Sequence, residues 1–168
     1  MPFWPDPIIA GWAAVALTAP LLIWAAISDL KYMIIPNSVS IGMVVVFVVF
    51  SALFLTPEEA LWRAAAGIVT LIVGIGLVIA AKMGGGDMKL LASIAPFIAP
   101  ERVGTAMVML SLCLLILLLP LVMTRRMLRR RATETTWVAF QPGIREVPMG
   151  VSIAVATMLY LMQIALTG

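Results

Sequence analysis

The chain has 168 residues, 63% of them hydrophobic, with eleven Lys and Arg, eight Asp and Glu, and no His; mean hydropathy is +1.13. A soluble domain is about half apolar and roughly a quarter charged, so this chain has too little charge to clothe a globular surface in water and reads as an integral membrane protein. The missing His excludes Ser-His-Asp triads and His-ligated metal sites, and the single Cys, Cys113, excludes internal disulfides and Cys-rich zinc sites. No metal or cofactor is expected.

Six apolar stretches run at about residues 8–27, 38–55, 61–81, 88–99, 103–123 and 148–167. Crossing a bilayer takes about 20 helical residues, and most of these suffice. The fourth is short, and Pro96 and Pro100 weaken its end. The expected fold is all-α, a single membrane-embedded domain over 1–168 with six transmembrane helices. The fourth is a short crossing, and both termini lie on the outer side. Residues before Ile8 carry no Lys or Arg, so the first stretch reads as a retained helix rather than a signal peptide.

Charge supports this alternation. With the N-terminus outside, the inner connections hold Lys31, Lys82, Lys89, Arg125, Arg126, Arg129, Arg130, Arg131 and Arg145. Only Arg63 and Arg102 remain outside. An excess of Lys and Arg marks the cytoplasmic side. If 88–99 did not cross, the Arg125–Arg131 cluster would fall opposite Lys31 and Lys82. The basic connection 124–147 is the only sizeable polar segment. Its arginines read as topology and anionic-lipid signals, and nucleic-acid binding is not expected. Trp4, Trp62 and Trp137 fall near interfaces. Cys113 and the methionines read as packing, and Gly67, Gly74 and Gly76 as points of close helix approach.

Sorting the acids leaves two without an obvious duty. Asp6, Glu58, Glu59 and Glu101 lie outside, and Glu134 and Glu146 belong to the basic loop. Asp29 follows the first apolar stretch directly, and Asp87 ends the glycine run in Gly84-Gly85-Gly86-Asp87-Met88-Lys89. Asp29 is either a solvated acid beside Lys31 or a functional group; Asp87 is either a helix N-cap or a functional group. Two carboxyls sharing a site cannot both ionise easily. The ionised one takes a proton from water attacking a carbonyl. The neutral one hydrogen-bonds the carbonyl oxygen and later protonates the leaving amine. The glycines are either a loop or an opening through which a substrate backbone approaches Asp87; the Walker spacing is absent. Pro36 and Asn37 suit a turn with a cap at Asn37 or Ser38, or else orient Asp29. Lys89 either pairs with a carboxylate or anchors the chain at the interface. Asp29 lies at a helix C-terminal end and Asp87 at an N-terminal one, which favours the shared proton on Asp29.

Three segments resemble the bacterial prepilin peptidases, membrane aspartyl proteases of the GxGD type. They are Asp29-Leu-Lys-Tyr-Met-Ile-Ile-Pro36-Asn37, Gly84-Gly-Gly86-Asp87-Met-Lys89 and Val147-Pro148-Met-Gly150. The resemblance implies that Asp29 and Asp87 are the catalytic pair. Gly84, Gly86, Lys89, Pro36, Asn37, Pro148 and Gly150 would then support the site or the substrate's approach. It implies as substrate the short basic leader of a type IV-like prepilin or pseudopilin, cut at the cytoplasmic face of the bacterial inner membrane. Relatives of presenilin share G-x-G-D, but here Ser28 precedes Asp29 and Pro-Ala-Leu is absent. Large bifunctional members carry an added cytoplasmic domain, often with Cys-x-x-Cys pairs, and methylate the product. This chain is similar instead to the short peptidase-only members of tight-adherence (Flp-type) systems, and methyl transfer is not expected. Glu134 and Glu146 are candidates for contacting a basic leader. The rival readings are a small ion- or proton-coupled transporter using the same acids, and a non-catalytic secretion subunit. Transporter sites usually lie near the midplane, whereas both acids here sit at one edge. The sequence does not fix an oligomeric state.

Overall fold

The computed structural model describes residues 6–81, 85–131, 137–141 and 147–167. Six α-helices follow in chain order: α1 Pro7–Tyr32, α2 Asn37–Phe54, α3 Pro57–Ala81, α4 Gly85–Ile94, α5 Val103–Arg131 and α6 Met149–Thr167. Short 3-10 turns occupy Ala95–Phe97, Pro100–Arg102 and Val138–Phe140. There is no strand among the described residues. In hydrocarbon every backbone polar group must be satisfied internally, which a helix does without a partner segment.

Local chemistry sets the helix ends. Asp6 Oδ1 accepts the Ile8 amide at 3.0 Å, and Pro7 fills the first helical position. α1 continues through Asp29 and Lys31 and ends where Met33 turns left-handed at φ 55°, its amide donating to the Asp29 carbonyl at 2.9 Å. Ser28 Oγ donates to the Ile34 carbonyl at 2.7 Å and folds this reversal back onto α1. Thr56 Oγ accepts the Glu59 amide at 3.1 Å at the start of α3, and Glu59 pairs with Arg63 at 2.7 Å.

Five helical segments are long and apolar enough to cross a membrane: Pro7–Tyr32, Asn37–Phe54, Pro57–Ala80, Pro100–Thr124 and Met149–Thr167. The fourth apolar stretch folds differently. α4 is ten residues long, and the 3-10 turn at Ala95–Phe97 follows it directly. That stretch is the centre of the bundle. Leu90 and Ile94 are fully buried, and Phe97 packs edge-on to Phe47 at 5.6 Å and against Phe50 at 5.9 Å. α3 and α2 both pack on α4 and meet each other only slightly.

The most extensive interface joins α1 to α6, the first helix to the last. Gly11 makes it close, since a Cβ there would lie 2.6 Å from Ala165 Cα. Gly67 and Gly74 do press onto the α4 segment: an added Cβ would lie 2.8 Å from Pro96 at the first and 3.0 Å from Met88 at the second. Gly76 faces open space; it lies two residues from Gly74 and so points to the other side of the helix.

The chain ends and turns sort to two poles. Pro7, Leu55, Glu59, Arg63, Ala99, Arg102 and Ile164 line one cavity of about 360 Å³ at the first pole. Asp29, Ile35, Gly86 and Gly150 meet at the other. The α4 segment therefore starts at one pole and reaches the opposite one by Ala99.

Candidate active site

Asp29 is in the last turn of α1 and only 5% exposed. Its Oδ2 accepts the backbone N–H of Gly150 at 2.8 Å. Gly150 is the second residue of α6, where helix amides have no partner within their own helix. A side chain at this position has no room. A Cβ would sit 2.8 Å from Ile35 Cδ1, 2.9 Å from Asp29 Oδ2 and 3.2 Å from Asp29 Cβ. The Pro148-x-Gly150 segment is thus the surface on which Asp29 rests. Pro148 is buried and lines a cavity of about 230 Å³ with Leu30, Phe140 and Val151.

Ile35, buried in the turn after α1, touches both sides of the site. Its side chain abuts Gly150, and it lies 3.4 Å from where a Cβ of Gly86 would be. Asp87 follows Gly86 in the first turn of α4 and is half-buried. Burial, and then the field of Asp29, push the Asp87 carboxyl up to about 6. It has no hydrogen-bond or ion-pair partner among the described residues. The two acids, 58 positions apart in sequence, therefore share one electrostatic environment.

A second tie joins the same segments. Lys89 Nζ donates to Asn37 Oδ1 at 3.1 Å, linking α4 to the start of α2. Lys89 forms no ion pair with a carboxylate among the described residues. Asn37 does not cap α2: Pro36 holds the cap position, with no side-chain hydrogen bond there. Gly85 faces open space, and at Gly86 a methyl would be at ordinary contact distance. Gly84, Lys82, Glu134, Arg145, Glu146 and Trp4 lie outside the described residues. No group of three or more acids or Cys fit to hold a metal occurs among the described residues.

Sequence reasoning missed Ile35 and Ser28, which build the wall and the turn beside Asp29. Ile35 had a signal, since it stands between the two motif residues Asp29 and Pro36. It missed Gly11 and Tyr160 as well. Tyr160 is 2% exposed, and its hydroxyl accepts the Ala99 amide at 3.1 Å, tying the end of the α4 segment to α6.

The model of the type IV leader peptidase family matches residues 16–122. The chain belongs to this family. The match contains both acids and both motif segments around them, and stops short of Pro148 and Gly150. No curated protein and no solved structure gives a significant match. Membership supports a leader-peptidase role in general, in a family of aspartic type, and the apolar helices fit a multi-pass membrane protein. Within this leader-peptidase chain, the two acids lie at the same pole of the bundle, on either side of Ile35. That pole is built from the end of α1, the start of α4 and the start of α6.

Proposed function

We propose that the chain is an aspartic endopeptidase that removes the short basic leader from Flp-type prepilins or pseudopilins. Asp29 and Asp87 are its catalytic pair, acting on water without metal or cofactor. The observation that carries this reading is the convergence of the three motif segments. Gly150 bonds to Asp29 at 2.8 Å, Lys89 to Asn37 at 3.1 Å, and Ile35 fills the space between. Gly86, Pro36 and Pro148 support this arrangement. Gly84 and Gly86 belong to the glycine run before Asp87, in which Gly85 faces open space.

The whole of 1–168 acts as one membrane-embedded domain. The α4 segment makes a sixth, short crossing, which is supported by Asp87 and Ala99 lying at opposite poles. A ten-residue helix and one 3-10 turn span roughly 21 Å, so the bilayer is thin there. Both termini are outer. The active pole and the basic segment 124–147 face the cytoplasm of the bacterial inner membrane, as the Lys and Arg bias indicates. Lipids are the other partner, and no nucleic acid is engaged. A single Cys supplies no Cys-x-x-Cys pair, which supports cleavage without methyl transfer. Both acids lie at one pole, not mid-bundle, which disfavours a transporter.

Co-expression with a candidate prepilin tests the reading. Asp29→Asn and Asp87→Asn, each expressed at the wild-type level, should abolish leader removal. Continued cleavage in either variant removes the dyad assignment.

A further inference from the structure

The two acids are held unequally, and the difference divides the chemistry between them. Asp29 accepts the Gly150 amide directly, with the Val151 amide beside it. These are the first amides of a 19-residue helix. They need an acceptor, they carry the positive end of the helix dipole, and a carboxylate is the strongest acceptor available. Asp87 has no comparable donor among the described residues.

Among the described residues no cation at this pole redresses the balance. Lys31 of α1 lies over the Tyr32 ring, 5.1 Å from its centroid. Lys89 of α4 is bonded to Asn37, and Arg126 of α5 is exposed. α2, α6 and the turn Val138–Phe140 contain no charged residue. From α1 and α4 alone the proton belongs on Asp29, because Asp29 ends one helix and Asp87 begins another. The start of α6 reverses this, because it delivers a direct hydrogen bond to the Asp29 carboxylate.

We propose that Gly150 is a positioning residue that holds Asp29 as the ionised base of the pair and leaves the shared proton on Asp87. This rests on the peptidase reading above. In the step it implies, Asp29 takes a proton from water as the hydroxide adds to the peptide carbonyl carbon. The protonated Asp87 hydrogen-bonds the carbonyl oxygen. As the C–N bond breaks, Asp87 gives its proton to the leaving nitrogen, so one acid and one amine are released. The pair still holds one proton, now on Asp29, and its return to Asp87 through water resets the site.

The test uses the full chain in lipid nanodiscs, with the Asp carboxyls labelled with carbon-13. Asp29→Asn and Asp87→Asn serve to assign the signals. As pH rises, Asp29 should ionise before Asp87; the opposite order overturns the proposal. This readout needs no activity, so it stays informative even if cleavage survives both variants and the peptidase reading falls. The second arm is the pH profile of kcat/KM. Gly150→Ala displaces Asp29 Oδ2 and should move the acidic limb upward by on the order of one pH unit, a tenfold change in proton affinity. Adding Ile35→Ala frees the space the new methyl takes from Ile35 but not the space it takes from Asp29. The double variant should therefore keep the displaced limb, and its return to the wild-type profile overturns the proposal.

Discussion

Gly11→Ala tests whether the site depends on the seam between the first and last helices. The added Cβ would lie 2.6 Å from Ala165 Cα and 2.9 Å from Ala165 N. Non-bonded carbons are comfortable at about 3.5–4.0 Å, so the helices must separate by about 1 Å. Neither of these two obstacles can rotate away, because both are main chain. Overpacking of this kind costs about 1–3 kcal/mol. The separation is also carried along α6 toward Gly150, which holds Asp29. A catalytic group displaced on the order of 1 Å loses as much as ~100-fold in rate. Gly76→Ala is the matched control, because nothing lies within 4 Å of its added methyl. Thermal unfolding of the purified protein and the rate of leader removal should both fall for Gly11→Ala and hold for Gly76→Ala. A Gly11→Ala protein that unfolds at the wild-type temperature and cleaves at the wild-type rate refutes the seam as described.

Two further predictions concern Asp87 and its helix. The Asp87 carboxyl is raised from 3.8 to about 6, so the folded chain binds that proton more tightly than the unfolded chain does. The associated stability is full below about pH 4 and is lost as pH rises through 6. Asp87→Asn, which cannot ionise, should therefore unfold at a higher temperature than wild type at about pH 7.5. The gap should close on acidification to about pH 4, and a gap independent of pH contradicts the burial of this carboxyl. For the Lys89–Asn37 bond, the single variants Lys89→Ala and Asn37→Ala should each lose stability by about 1 kcal/mol or less, since the pair is exposed. The double variant should lose no more than either single one; strict additivity would show that the bond does not tie α2 to α4.

Helix positions were legible in the sequence because apolar runs and Pro punctuation are one-dimensional signals. Asn37–Phe54 and Met149–Thr167 fall within a residue or so of the expected stretches, and Pro96 and Pro100 each stand in the first two residues of a 3-10 turn. The first helix runs five residues past the expected end at residue 27. Polar residues do not stop a helix; Met33 does, by turning left-handed. Partner choice was not legible. A helix apolar on all sides carries no stripe to show which face meets protein and which meets lipid. Nothing in the sequence therefore pairs α1 with α6, or distinguishes Gly11, which packs closely, from Gly76, which does not. Asp29 and Asp87 stood out for the opposite reason, as charges with no topological duty. The donor on which the proposed division of labour turns, the Gly150 amide, was not legible, because it comes from a helix 121 residues away.

The unequal support of the two acids has a chemical logic. A base has to be ionised before substrate arrives, and on the proposal above the Gly150 and Val151 amides favour that form of Asp29. An acid that must hydrogen-bond a substrate carbonyl is better left unbonded, because any internal partner would have to be broken first. Asp87 meets that condition: it has no partner among the described residues, and Gly85, two residues before it, faces open space. Lys89, the nearest cation in sequence, donates to Asn37 and forms no ion pair with Asp87. On that proposal, close packing at Gly150 serves the base, and freedom from an internal partner serves the acid.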